Sequence, residues 1–84
     1  MNLLDTYKIL VKIESEVKPK PVVRFLPDEN GLLLRASCYI GKETVFQECL
    51  ITHRVLEDGT NHTGVINDFI GKTNNTFRHY LEAK

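Results

Sequence analysis

The chain contains no tryptophan, and aromatic residues make up only 8% of it, so aliphatic side chains must fill whatever core it forms. Hydrophobic residues account for 42% and charged residues for 26%. These values are typical of a folded globular protein and are too apolar for a disordered chain. Because 84 residues suffice for one modest core, we expect residues 1–84 to form a single small domain.

No excess of charge of either sign is present, since 11 lysine and arginine residues balance 11 aspartate and glutamate residues. A protein that coats nucleic acid by bulk charge would be strongly basic, so only a local basic patch is compatible with that function. No apolar run approaches the roughly 20 residues of a membrane span. The first residues do not resemble a signal peptide. We therefore expect a cytoplasmic protein that does not associate with membranes.

Cysteine is scarce, and a secreted domain this small would need several disulfides. Cys38 and Cys49 lie in no C-x-x-C motif, and we interpret both as small buried hydrophobic side chains. The three histidines, His53, His62 and His79, lie at no metal-ligand spacing. The glycines are isolated and form no phosphate-binding loop. The sequence thus predicts no catalytic residue, no metal and no cofactor.

The first segment, from Asn2 to Val17, is compatible with two structures. As a helix capped by Asn2, it gathers most of its apolar residues on one broad face, namely Leu3, Leu4, Tyr7, Leu10, Val11 and Val17. As a strand, it alternates apolar and charged residues from Tyr7 onward. We favour the helix, because Leu3 and Leu4 join the helical stripe, and keep the strand as the alternative.

Three strands are predicted after the connector Lys18-Pro19-Lys20-Pro21, and turn residues separate them. The strands are Val22 to Leu26, Leu32 to Ile40 and Glu43 to Val55. In the first turn, Pro27 would hold the second position of a type I turn, and Gly31 would supply a positive φ. Gly41-Lys42 fits a two-residue turn with glycine first.

The two-residue turn fixes the register between the second and third strands. It sets Arg35 opposite Glu48, which is a favourable pair of opposite charge. The same register sets Leu33 opposite Leu50, Leu34 opposite Cys49, and Cys38 opposite Val45. We expect the face that carries Leu32, Leu34, Ala36, Cys38, Ile40, Val45, Cys49 and Ile51, with Val23 and Phe25, to be the core face.

A helix is predicted at the C-terminus, after a turn at Glu57-Asp58-Gly59 and a cap at Thr60 or Asn61. Gly71 and the run from Thr73 to Thr76 are poor helix formers, so we expect a kink or break there. The predicted fold is α+β, with a three-stranded antiparallel meander and the order αβββα. If the first segment is a strand, the order becomes ββββα.

The predicted order is similar to that of double-stranded-RNA-binding domains, which place lysines at the start of the second helix. Residues 58–63 contain no lysine or arginine. Order alone therefore does not indicate that function here.

The opposite face of the predicted sheet is more apolar than a solvated face should be. It carries Leu33, Tyr39, Phe46 and Leu50. We predict that these four residues bind a protein partner or a second copy of the chain, in a small non-enzymatic interaction or regulatory protein.

Two alternatives stay open. One is a weak nucleic-acid-binding module that uses the basic stretch, Lys8, Lys12, Lys18, Lys20 and Arg24. The other is a small enzyme or ligand binder whose site, near one of the histidines, is assembled only in three dimensions.

Overall fold

The first segment is a helix, and three strands and two further helices follow it. The structure, a computed structural model, describes residues 3–58 and 62–82. Its elements are α1 (Leu3–Glu16), β1 (Val22–Asp28), β2 (Gly31–Ile40), β3 (Glu43–Thr52), α2 (His53–Asp58) and α3 (His62–Glu82). The predicted α+β fold and its αβββα order are confirmed, with the short α2 as an addition. The predicted caps at Asn2 and at Thr60 or Asn61 lie outside the described residues.

The three strands form an antiparallel sheet in the order β1-β2-β3. Arg35 lies opposite Glu48 and Leu33 opposite Leu50, so the predicted register is confirmed. Gly41 has a φ of 67°, and no non-glycine residue in the described ranges has a positive φ. Such angles fit a type II′ turn, whose twist matches the twist of the strands beside it.

The first hairpin is tighter than predicted. Its turn consists of Glu29 and Asn30 alone, and Pro27 lies inside β1, opposite Leu32. The Asp28 carboxylate accepts a hydrogen bond from the Asn30 N–H at 3.0 Å, so this side chain replaces proline as the residue that shapes the turn.

Gly31 has the expected positive φ, at 152°. A Cβ at this position would lie 2.1 Å from the Ile51 carbonyl oxygen, so β3 leaves no room for a side chain. Glycine is required at this position both by its backbone angle and by the close approach of β3.

The third strand ends earlier than predicted, because residues 53–58 form α2. The Thr52 hydroxyl accepts a hydrogen bond from the Val55 N–H at 3.4 Å, in the manner of a helix N-cap. His53 ties this junction to the first hairpin. Its N–H donates to the Asn30 carbonyl at 3.2 Å, and its ring Nε2 donates to the Glu29 carbonyl at 3.0 Å.

The helices cover one face of the sheet, and α1 covers it with a different stripe from the one predicted. Ile9 and Ile13 of α1 are buried, whereas Leu4, Tyr7 and Val11 of the predicted stripe are exposed. Val17, which the predicted stripe also included, follows the helix and is buried. The α1 sequence has apolar residues on both sides, and β-branched residues spaced four apart occupy the core side. The buried set comprises Ile9, Ile13, Val17, Leu34, Ala36, Ile40, Val45, Ile51, Ile66, Phe69, Ile70 and Phe77.

The last helix is continuous from His62 to Glu82, so the predicted break into two short helices is wrong. The buried Thr73 hydroxyl donates to the Phe69 carbonyl at 2.7 Å inside the helix. Asn74 holds the end of α1: its Nδ2 donates to the Glu16 carbonyl at 2.9 Å, and its Oδ1 accepts from the Lys18 N–H at 3.0 Å. Tertiary hydrogen bonds thus outweigh the weak helix propensity of this run.

Candidate interaction surface

The face of the sheet that points away from α1 and α3 is covered by no other described element. We call it the open face. Because side chains alternate along a strand, each strand contributes every second residue to it. Its members are Val22, Arg24, Leu26, Leu33, Arg35, Ser37, Tyr39, Thr44, Phe46, Glu48 and Leu50.

The four predicted residues all lie on the open face, but they form two groups. Leu33 and Leu50 are direct cross-strand neighbours, and Leu26 of β1 continues their row on the other side of Leu33. Side chains in such rows contact each other, since opposite Cβ atoms lie about 5 Å apart. The first group is therefore a row of three leucines near the β1–β2 turn.

The second group lies toward the other end of the sheet. Phe46 is 50% exposed and Tyr39 is 69% exposed. Tyr39 lies opposite Thr44, so it is a diagonal neighbour of Phe46, at a Cα separation of about 7–8 Å. Val22 of β1 is also exposed and lies in the row of Ser37 and Phe46.

A row of charged residues separates the two apolar groups. Arg35 Nε donates to the Glu48 carboxylate at 2.7 Å, and the Arg35 guanidinium carbon lies 5.2 Å from the centre of the Phe46 ring. Arg24 lies opposite Arg35 and has no ion-pair partner among the described residues. The row therefore carries a net charge of one positive unit, that of Arg24, since Arg35 and Glu48 neutralise each other.

The sequence did not reveal Val22 and Leu26 as members of this surface, and it did not show that charges divide it. Both follow from the register of β1 against β2. The turn of Glu29 and Asn30 sets that register, whereas the sequence had favoured a longer turn that began at Pro27.

The basic stretch does not form one surface. Lys8 and Lys12 line the same groove between α1 and α3, but Lys12 also lies 3.8 Å from Glu16. Lys20 lies 3.7 Å from Glu14, Lys18 is exposed in the connector, and Arg24 is on the open face across the sheet from α1. A nucleic-acid backbone would therefore meet these cations on different sides of the molecule.

The groove between α1 and α3 has a volume of about 140 Å³, and Asp5, Lys8, Ile9, Lys12, Thr63 and Ile66 line it. Sites for drug-sized ligands usually measure about 300–1,000 Å³. In residues 3–58 and 62–82, no three His, Cys, Asp or Glu side chains come together as metal ligands would. His53 holds the first hairpin through its ring, and the His79 ring contacts Tyr80 edge to face.

Both cysteines are half-buried free thiols. Burial raises the pKa of the Cys38 thiol above its ordinary value. Burial also raises the pKa of Cys49, and the negative charge of Asp68 adds to this effect while Lys72 opposes it. Because the thiolate is the reactive form, both groups are poor nucleophiles at neutral pH.

The comparisons with known proteins add no likeness from which a role could be inferred. No family model matches the chain, and neither a curated protein nor a solved structure matches it significantly. Within the described ranges, no helix is long and apolar enough to cross a membrane.

Proposed function

We propose that this protein is a small non-enzymatic interaction module that binds a protein partner through the open face of its sheet. The observation that carries the proposal is the exposure of large apolar side chains on a face that α1 and α3 leave uncovered. A sheet face that meets only water is usually polar, as in the alternation of half-solvated antiparallel sheets.

The exposed aromatic side chains alone approach the apolar area of a typical binding patch. If a full aromatic side chain offers about 200 Å², Tyr39 at 69% and Phe46 at 50% together expose about 240 Å². Val22 adds to this area from the row of Phe46, and Leu50 is exposed in the leucine row on the other side of the charged row. The largest apolar patch on a typical monomer measures about 300–600 Å² and often marks a binding site.

The charged row supports a proposal for the chemistry of the partner. A bound segment that fills both apolar groups must cross Arg24 and Arg35. Since Glu48 already neutralises Arg35, Arg24 is the cation that can accept a new anion. We infer a partner surface that presents an acidic residue between apolar side chains.

The test compares two double variants in capture experiments from the source cell, with each candidate band confirmed by direct titration of the purified partner. Tyr39→Ser with Phe46→Ser changes the open face. Leu4→Ser with Tyr7→Ser is the matched control, because Leu4 is 58% and Tyr7 61% exposed on α1. Thermal unfolding of both variants shows whether the fold is intact.

We expect the open-face variant to lose the partner and the α1 variant to keep it. Equal binding by both variants would contradict the proposal, and so would loss of binding only through unfolding. Capture of nucleic acid with affinity that falls steeply as salt is added would instead favour the basic residues Lys8, Lys12, Lys18, Lys20 and Arg24.

A further inference from the structure

The sheet has two edges. Backbone N–H and C=O groups point alternately to the two sides of a strand, so the pairing shows which of them each edge presents. Flanking residues of a two-residue hairpin exchange hydrogen bonds, so Ile40 and Glu43 form a hydrogen-bonded pair. Every second residue of β3 from Glu43 then bonds to β2. The residues between them direct their N–H and C=O groups outward, away from β2, and they include Thr44, Phe46, Glu48 and Leu50.

The β1 edge is protected against pairing with another strand. Pro27 has no N–H, so it can lie in β1 only where that position faces outward. The outward backbone groups of β1 therefore belong to Val23, Phe25 and Pro27, and the last of these cannot donate. Proline on an edge strand is one of the devices by which proteins prevent edge-to-edge association.

The β3 edge has no such protection. Its ten residues, Glu43–Thr52, include no proline and no lysine. Glu48 is the charged residue in the middle of the strand, and Arg35 of the same chain neutralises it. In the described ranges, no backbone hydrogen bond from another element reaches the outward groups of Phe46, Glu48 or Leu50. A long unprotected edge of this kind is a template for a further strand.

The apolar and threonine residues of β3 are arranged symmetrically about Glu48. At equal distances on either side, Phe46 matches Leu50 as a large apolar residue, whereas Gln47 and Cys49 differ. Further out, Val45 matches Ile51 and Thr44 matches Thr52. A two-fold axis through antiparallel strands brings such symmetric positions together, because each residue meets the residue at the mirrored position.

We propose that a second copy of this chain binds along the β3 edge, antiparallel and centred on Glu48, to form a continuous six-stranded sheet. This interface goes beyond the proposed function, because it uses the strand edge and leaves the open face available. Phe46 of each copy lies opposite Leu50 of the other. The leucine row of one copy thus continues into the Phe46 and Val22 row of the second.

Packing favours this register over its neighbours. With Glu48 opposite its counterpart, two like charges face each other, and the ion pair of each carboxylate with its own Arg35 offsets their repulsion. A shift of the partner strand by two residues in one direction places Phe46 against Glu48. The opposite shift places Glu48 against Leu50. Either shift sets a charged group against an apolar side chain, which costs free energy on desolvation.

One variant, with cysteines at positions 47 and 49, distinguishes the three registers. In the proposed register, Gln47 and Cys49 of the second copy form a non-hydrogen-bonded pair with Cα atoms about 4.5 Å apart, within disulfide range. We therefore expect Gln47→Cys in a Cys38→Ser background to give a 47–49 intermolecular disulfide on mild oxidation. The shifted registers would give 47–47 or 49–49 disulfides, and cleavage after Glu48 separates the two cysteines for mass spectrometry.

The second experiment measures the dimer dissociation constant by sedimentation equilibrium. Both variants remove the Glu48 carboxylate and its ion pair with Arg35, but Glu48→Pro also removes the outward N–H at the axis, which Glu48→Ala keeps. We expect the proline variant to weaken the dimer about tenfold or more relative to alanine. A wild-type protein that stays monomeric at high micromolar concentration would overturn the interface. So would a dimer that yields 47–47 or 49–49 disulfides, no intermolecular disulfide, or equal dissociation constants for both variants.

The two proposals can fail separately. The partner-binding variants, Tyr39→Ser with Phe46→Ser, are judged by loss of a heterologous partner. The β3 interface is judged with the purified chain alone. If the purified chain is a monomer and the Tyr39→Ser, Phe46→Ser variant loses the partner, the proposed function stands and the dimer is refuted.

Discussion

Replacement of Asn74 by alanine should remove the hydrogen bonds that join the end of α1 to the middle of α3. The Asn74 amide makes two tertiary hydrogen bonds, to the Glu16 carbonyl and from the Lys18 N–H. Each contributes about 0.5–1.5 kcal/mol net. Alanine is the better helix former by up to about 0.7 kcal/mol, which offsets part of the loss. We expect the free energy of unfolding to fall by about 1–2 kcal/mol.

The assay is thermal and urea unfolding followed by circular dichroism. For a domain of this size, a loss of about 1–2 kcal/mol lowers the midpoint temperature by roughly 5–15 °C. The matched control is Asn75→Ala. Among residues 3–58 and 62–82, Asn75 accepts a hydrogen bond only from Arg78 of the same helix, at 2.7 Å, so its replacement gains the same helix propensity without loss of a tertiary contact there.

Equal unfolding free energies for the two alanine variants would refute this account of the α1–α3 junction. Asn74→Asp gives a further check, because it keeps the acceptor for the Lys18 N–H and loses the donor to Glu16. Because a carboxylate oxygen would then face the Glu16 carbonyl oxygen, Asn74→Asp should be no more stable than Asn74→Ala.

Two further predictions concern the glycines and the cysteines. Gly31→Ala should cost about 2 kcal/mol or more, because the added Cβ meets the Ile51 carbonyl at a strained φ. Gly71→Ala in open space should instead stabilise α3 by about 0.5–1 kcal/mol, and urea titration compares the two variants. Alkylation of Cys38 and Cys49 should need a higher pH than alkylation of an exposed cysteine, since burial raises both pKa values. The folded state then favours the protonated thiols, so stability should decline as pH rises through the alkaline range in which the thiols of the unfolded chain ionise. Alkylation as fast as in the urea-unfolded chain would contradict this.

Local turn chemistry predicted the β2–β3 hairpin well. Gly41 is required at a positive φ, and the Arg35–Glu48 pair checks the register independently. The first hairpin was harder to predict, because Pro27 fits a turn and an edge strand equally well. Which of the two it occupies depends on whether another strand lies beside β1, and that is a tertiary property.

The helices show where periodicity stops being informative. In α1, apolar residues lie on both sides, and the sequence pattern selected the side of Leu4, Tyr7 and Val11, which is exposed. In α3, the unfavourable propensity of Asn74 indicated a break. A polar residue beside the buried positions of a helix is also typical of a tertiary hydrogen bond, and Asn74 makes two of them.

The open-face residues followed from the predicted register, but their division into two groups did not. That division depends on Arg24, whose position opposite Arg35 requires the β1–β2 pairing. The β3 edge depends on the strand order β1-β2-β3, because a sheet with another strand beside β3 would have no unpaired edge there. Neither the pairing nor the order can be obtained from one strand's own sequence.

The most direct test of the central claim, that a second copy completes the sheet at β3, is amide hydrogen exchange measured by nuclear magnetic resonance at several protein concentrations. The outward amides of Phe46, Glu48 and Leu50 lack acceptors in one copy and gain them in the dimer. We expect their exchange to slow as concentration rises, while Val23 and Phe25 on the β1 edge stay fast as internal controls. Exchange at β3 that remains as fast as at β1 at every concentration would contradict the account.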